Sequence, residues 1–328
     1  MEYHGSFGPA CGDMETLSAM LEAGMTDIRL NLSHGLLRDK AEWIENLRRA
    51  EVRTGLRARL LIDLQGPEIR IGDLPGALEL RDGETVRLGK GGVPTPEPVT
   101  ARLPVGERLQ LDDGLLLLEV TGKTPGALDC RVLRGGILTG RKSLCPLETE
   151  LEMPSLTAED RENLQAAPEF GVESVMLPFV RHRRNLTELR QAMAEAGLGG
   201  ARIYAKIEDL RCAAALPELL DAADVIVIAR GDLGNGMPLW QLPGVQKDIS
   251  AQCRAAGTPF LVVNQLLHNM TEHPVPTRSE VCDIFNAVAD GCAALMLTGE
   301  TAQGRYPAQA MAMLRRTAQA ALDWLRGQ

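Results

Sequence analysis

Apolar positions along the chain fall into short continuous runs that alternate with longer segments of helical spacing. HGSFG near residue 5, TDIRLNLS from Thr26, RARLLIDLQ from Arg57 and SVMLPFV from Ser174 read as strands. RIYAKIE from Arg202, VIVIARG from Val225, PFLVVNQ from Pro259 and AALMLTGE from Ala293 bring the set to eight. Between them, Asp13–Ala23 carries Met14, Leu17, Met20 and Leu21 on one helical face, and Gly24 closes it. Asp39–Thr54, Thr157–Phe170, Asn185–Ala196 and Arg211–Ala222 repeat the pattern, as do Trp240–Ala256, Ser279–Asp290 and Pro307–Trp324. Thr157 opens a capping-box pattern, TAED. Eight strand–helix units predict an α/β protein, a (β/α)8 barrel of the TIM type.

One region breaks this rhythm. Residues 72–154 hold short alternating stretches, ALELRDGETVRLG, ERLQLDDGLLLLEVTG and ALDCRVLRGG, set between Gly, Pro and Asp turn signals. They predict a small, β-barrel-like domain inserted after the third strand, with 1–71 and 155–328 forming the barrel. An insertion on a strand-to-helix loop is expected at the C-terminal face, where it can serve as a lid.

Composition narrows the function classes. A net charge of -9 argues against nucleic acid, which wants a basic surface. Aromatics make up only 3%, so the core must be built from Leu, Val, Ile, Ala and Met. Seven scattered cysteines without C-x-x-C spacing suit buried thiols in a reducing compartment. The N-terminal MEYHGSFGP carries no apolar signal region and no run is long enough to span a membrane, so a cytoplasmic location is expected. His34, His182, His268 and His273 show no zinc spacing, and no G-x-S-x-G or Walker A sequence is present. His34 is expected to orient the loop that it begins.

Candidate chemistry gathers at strand ends. Lys206 and Glu208 are two residues apart, which puts both on one face of a strand. Asp232 follows the next strand, beside Gly231 and Gly234. Two carboxylates and a lysine at adjacent C-terminal strand ends suit a divalent cation and a phosphorylated substrate. Arg29, Asn31 and Ser33 alternate with Ile28, Leu30 and Leu32. In a closed barrel that polar face points inward, where an arginine wants an anion. Asp63 ends an apolar strand and offers oxygen ligation alongside Asn31 and Ser33 to a hard cation. Glu68 and Arg70 follow the Gly66–Pro67 turn, and Arg70 suits a second phosphate. Thr298, Glu300 and Thr301 lie just past the last strand.

SFGPAC, AGMTDIRLNLSHG, LIDLQGPEIRIG, LDDG, AKIED, VIVIARGDLG, PTRSEVCDIFNAVADG and ALMLTGETAQGRYP resemble, in order, the motifs of the pyruvate kinase family. The resemblance implies a barrel domain interrupted by a lid domain. It implies phosphoryl transfer from phosphoenolpyruvate to ADP, giving pyruvate and ATP, with Mg2+ and K+ as cofactors. It matches Arg29 to the substrate-phosphate arginine and Lys206 to the lysine that stabilises the transferring group. Glu208 and Asp232 match the magnesium ligands; Asn31, Ser33, Asp63 and the carbonyl of Leu64 match the potassium ligands. Glu68 matches the glutamate of potassium-dependent members, and Arg70 and Lys142 match nucleotide-binding positions. The backbone of Gly231 and Asp232 matches the seat of the substrate carboxylate, and Asn264 stands at a substrate-lining position. A homo-oligomer fits the family.

The sequence also departs from the family pattern. Asn264 replaces a threonine linked to enolate protonation, and asparagine is a poor proton relay. Pro178 replaces an active-site serine, removing a hydroxyl and a backbone donor. Leu64 and Gln65 replace a threonine and a lysine. The family's C-terminal regulatory domain has no counterpart in the sequence, so control through it is not expected. Alternatives are a paralogue with the same cation site acting on another enol phosphate or 2-oxo acid, and a catalytically silent barrel used for binding. Outside the family, the competing reading is a magnesium-dependent lyase or aldolase for 2-oxo acids.

Overall fold

The computed structural model describes every residue except Pro67, Asp113, Glu150, Glu152 and Gln328, and leaves the side chain of His34 undescribed. The role expected of His34 therefore lies outside the described residues. Two compact units emerge, Met1–Gly66 with Ser155–Gln328, and Pro67–Pro154.

The first unit opens with β1 (Glu2–Ser6), α1 (Met14–Glu22), β2 (Asp27–Asn31), α2 (Ala41–Thr54) and β3 (Arg59–Asp63). The second unit follows with β4 (Leu78–Leu80), β5 (Thr85–Gly89), α3 (Glu97–Arg102) and β6 (Arg108–Leu111). It ends with β7 (Leu116–Thr124), β8 (Ala127–Arg134), β9 (Gly136–Leu138) and β10 (Leu144–Pro146). The first unit resumes with α4 (Ala158–Ala166), β11 (Val172–Leu177), α5 (Arg183–Glu195), β12 (Arg202–Ile207), α6 (Leu210–Leu219) and β13 (Val225–Ala229). Then come α7 (Arg230–Asn235), α8 (Leu242–Ala256), β14 (Phe260–Val263), α9 (Arg278–Ala289), β15 (Ala294–Met296), α10 (Gly299–Ala302) and α11 (Pro307–Arg326).

The barrel closes in the order β1-β2-β3-β11-β12-β13-β14-β15, with parallel neighbours throughout. The expected α/β barrel is thus the observed one. Strand β13, VIVIA, is buried at every position, as its unbroken apolar run requires. Alternation splits the core in two. Leu61, Met176, Tyr204, Val225, Val227, Leu261 and Met296 form an inner cluster. Leu60, Ile62, Ile203, Ile226 and Ile228 join the layer between strands and helices. Asp63 lies two residues beyond Leu61, and Lys206 two beyond Tyr204, so both continue the inner face.

Local signals set the ends of the helices. Asp13 accepts the Thr16 N–H at 2.8 Å to start α1, and Gly55 stops α2 with φ at 68°. The helix expected over Thr157–Phe170 instead ends at Ala166 and tightens into a 3-10 turn, Ala167–Phe170. Pro168 lacks the N–H that would continue it. The resemblance implies a helix start at Gly231 and Asp232, and the short helix α7 opens there, at Arg230; α10, of four residues, was not expected and is too brief to show a periodic face.

The second unit has its own core. A five-stranded antiparallel sheet, β10-β6-β7-β8-β5, accompanies the pair β4-β9. Leu88, Val99, Leu109, Leu118, Cys130 and Val132 pack within it. Ile71 belongs to this core, and its N–H bonds Lys142 O at 2.9 Å, so the unit begins before residue 72. Among the described residues, no helix is long and apolar enough to cross a membrane. Five of the seven cysteines are buried, but Cys145 and Cys282 are exposed.

Candidate active site

Strands β2, β3 and β12 deliver three charged side chains to one end of the barrel. Register places Arg29 opposite Leu61 and Asn31 opposite Asp63. The Arg29 guanidinium closes on Asp63 Oδ2, with Nη2 at 2.6 Å and Nε at 2.8 Å. Lys206 Nζ lies 3.6 Å from the same oxygen and 2.6 Å from Glu208 Oε1. The lysine side chain is 15% exposed, while those of Asp63 and Glu208 are only 2% and 1% exposed. The other Glu208 oxygen accepts the Phe179 N–H at 2.8 Å.

Asp232 lies near enough to act on both Lys206 and Glu208 electrostatically. Asp63 and Glu208 pair with Arg29 and Lys206, and Asp232 adds a third negative charge that Lys206 and Glu208 both feel. Burial pulls the Lys206 ammonium towards losing its proton, but Asp63 and Glu208 outweigh burial and hold its pKa above the ordinary lysine value. Glu208 moves up from its ordinary value, chiefly through burial and with repulsion from Asp232, although Lys206 opposes the shift. A cluster that leaves a carboxylate reluctant to ionise is one that a further cation would relieve.

Asn31 is the cross-strand neighbour of Asp63. Asn31 Oδ1 accepts the Ser33 N–H at 3.1 Å, and Leu64 is buried next in sequence to Asp63. Asp63 Oδ1 is itself buried without a hydrogen-bond partner. A buried carboxylate oxygen left unpaired is the kind of donor that a hard cation satisfies.

Asn264 stands at the end of β14 with φ at 79°, followed by Gln265 at 54°. A Cβ built on Gly231 would meet Asn264 Nδ2 at 2.7 Å, so that carboxamide lies directly over Gly231. The structure therefore groups Arg29, Asp63, Lys206, Glu208 and Asp232, and separately brings Asn264 onto Gly231. Glu68, Arg70 and Lys142 belong to the second unit. There Arg70 pairs with Glu68 at 2.7 Å, and Lys142 with Asp112 at 2.7 Å.

Other sequence candidates take structural roles. Glu300 is buried and accepts the N–H groups of Leu267 at 3.1 Å and Thr298 at 2.8 Å. Thr301 Oγ1 accepts from Ser6 N and donates to Ser6 O. Pro178 packs on the Gly66 turn, where a Cβ would lie 2.4 Å from its Cγ. Asp160, seen in sequence only as a capping residue, is fully buried and accepts the N–H groups of Gln65, Gly66 and Thr157.

Sequence reading missed a second polar cluster at the opposite end of the barrel. Glu2, His4 and Asp27 place their ligand-type atoms within 4.8 Å of one another. Arg59 spans Glu2 and Asp27 at 2.8 Å each, and Arg202 bonds Glu2 at 2.8 Å. Two arginines thus already neutralise the two carboxylates, which opposes a dication there. The only sequence signal was polar residues at strand starts, which ordinarily face solvent.

Comparison with known proteins follows the same lines. The family description "Pyruvate kinase, barrel domain" matches residues 3–311. Pyruvate kinase of Geobacillus stearothermophilus is 36% identical over 95% of this chain and 55% of its own length. Pyruvate kinase of Agrobacterium vitis is 37% identical over 94% and 65%, and that of Aeropyrum pernix 37% over 93% and 67%. The chain spans between about half and two thirds of the length of these relatives. On this match over almost its whole length, the chain belongs to the pyruvate kinase family.

Proposed function

We propose that the protein transfers a phosphoryl group from phosphoenolpyruvate to ADP, giving pyruvate and ATP. The observation that carries this reading is Lys206 held between Asp63 at 3.6 Å and Glu208 at 2.6 Å, with Asp232 close by. Such transfer asks a site for positioning and charge neutralisation, with little covalent chemistry.

Lys206 would enter the reaction as a fixed positive charge. Its proton is held too tightly for it to serve as an acid or base near neutral pH. Its ammonium would offset charge on the oxygens of the group in transit. Arg29 would share its guanidinium between Asp63 and the substrate phosphate. Backbone at Gly231 and Asp232 would receive the substrate carboxylate. Glu208 and Asp232 would hold Mg2+, and Asn31, Ser33, Asp63 and the Leu64 carbonyl K+; both ions, when bound, supply positive charge against phosphate and carboxylate oxygens.

Asn264 would offer hydrogen bonds to the enolate but cannot relay a proton as a hydroxyl does, so protonation would draw on solvent. We assign nucleotide contacts to Arg70 and Lys142, with Glu68 as the partner of Arg70.

Asn264 and Pro178 also favour a second reading, the same cation site used on another enol phosphate or 2-oxo acid. A coupled assay with phosphoenolpyruvate, ADP, Mg2+ and K+ separates the two. Pyruvate formation that depends on both substrates supports phosphoenolpyruvate as the donor. Absence of turnover, with retained binding of Mg2+ and oxalate, favours the second reading.

A further inference from the structure

Arg230 is the arginine closest in sequence to the candidate carboxylate seat, yet its charge is turned away from ligand work. Its Nε and Nη2 donate to the carbonyl of Asn264 at 3.2 Å and 2.6 Å. Its Nη1 reaches Asp283 Oδ2 at 2.6 Å, and the side chain is only 12% exposed. Two edges of the guanidinium plane are thereby committed, one to a carbonyl and one to a carboxylate. An incoming anion would have to displace Asp283 to use it.

The carbonyl so gripped belongs to an unusual turn. Asn264 and Gln265 lie consecutively at φ of 79° and 54°. Positive φ disfavours L residues; a short polar side chain such as that of Asn tolerates it better than the longer Gln. Two such residues in a row persist where surrounding contacts over-determine the backbone. Here the grip of Arg230 holds the first residue, and Glu300 accepts the Leu267 N–H on the far side of the turn. The same turn lays the Asn264 carboxamide over Gly231, where a Cβ would come within 2.7 Å of Nδ2.

We propose that Arg230, braced by Asp283, is a positioning residue that locks the Asn264–Gln265 turn and so aims the Asn264 carboxamide at the substrate over Gly231. The inference rests on the proposed phosphoryl transfer for its catalytic consequence but not for its structural one. Arg230 acts through Asn264 and does not touch the substrate.

Two readouts test it. Hydrogen exchange of the segment spanning 260–270 does not depend on activity. Arg230→Leu should accelerate exchange there at least tenfold while β12 and β13 stay protected. Asp283→Asn keeps its shape and should accelerate the same segment less; it also serves if Arg230→Leu fails to fold. Unchanged exchange in the folded variants overturns the lock. The second readout is kcat/KM for phosphoenolpyruvate in a cycle with Asn264→Ala. Arg230→Leu should lower it at least tenfold, and the double variant should be no worse than the poorer single one. Independent, multiplying losses overturn action through Asn264. If the wild-type protein shows no turnover, the proposed function falls, and exchange still decides the lock.

Discussion

Replacing Lys206 by methionine is the most informative single change. Met keeps the length of the stem and removes the ammonium. At an effective dielectric of about 20, a unit charge pair is worth about 6 kcal/mol at 2.6 Å, the distance to Glu208, and about 5 kcal/mol at 3.6 Å, the distance to Asp63. Repulsion from Arg29 and the desolvation of the ammonium oppose this sum. Loss of one partner from a buried pair costs about 3–5 kcal/mol in measured cases, and Lys206→Met should lower unfolding free energy by about 3 kcal/mol in urea titrations. The effect on turnover should be larger in kind. A fixed charge aimed at the transferring group is worth about 100- to 1,000-fold in kcat. Lys206→Arg should recover part of the stability, because charge is retained, but little of the rate, because the planar fork does not reproduce a compact ammonium. Steady-state assays of folded protein with phosphoenolpyruvate, ADP, Mg2+ and K+ read the result. Turnover of Lys206→Met within about tenfold of wild type would refute the assigned role, since one such donor supplies more than that.

Three further expectations follow from single residues. Asn264→Thr puts a β-branched residue at φ of 79° and should cost about 1–2 kcal/mol in urea unfolding; its turnover should nonetheless rise if the carboxamide limits enolate protonation, and an unchanged or lower rate would sink that idea. Asp160→Ala strands the three backbone N–H groups of Gln65, Gly66 and Thr157, and should cost about 3 kcal/mol; a loss below about 1 kcal/mol would mean that water replaces the carboxylate. Glu2 is held below the ordinary carboxylate range because, although burial raises it, the neighbouring His4 and the Arg202 guanidinium bonded to it more than offset burial. Its stabilisation is therefore present above its ordinary value of 4.5 and fades as pH falls towards its lowered one, so Glu2→Gln should flatten the acid limb of stability against pH; parallel curves would contradict this.

Much of this architecture is readable before any coordinates. The continuous apolar run VIVIA suits a strand buried on both faces, and eight strand candidates separated by helical patterns point to the barrel that is observed. The two-residue spacing of Lys206 and Glu208 likewise fixes a shared face. What spacing cannot convey is which partner a polar group meets across the barrel. Arg29 and Lys206 both contact Asp63 Oδ2, across sequence gaps that carry no local signal. Arg230 was embedded in VIVIARGD, but its bonds run to residues 34 and 53 positions away. The cluster of Glu2, His4 and Asp27 escaped notice because polar residues at strand starts ordinarily meet solvent; in the closed barrel His4 and Asp27 are buried and Glu2 half-buried. Asp160 was legible as a helix cap, yet its hold on Gln65 and Gly66 depends on the packing of α4 beside the turn that follows β3.

Binding of Mn2+, a paramagnetic stand-in for Mg2+, tests the central claim most directly. Electron paramagnetic resonance titration of the wild-type protein should detect one bound ion per chain, and Glu208→Gln or Asp232→Asn should weaken its affinity at least about tenfold, as loss of a charged oxygen ligand requires. Wild-type affinity retained in both folded variants would mean that these carboxylates do not seat the cation, and the account of the site would be wrong.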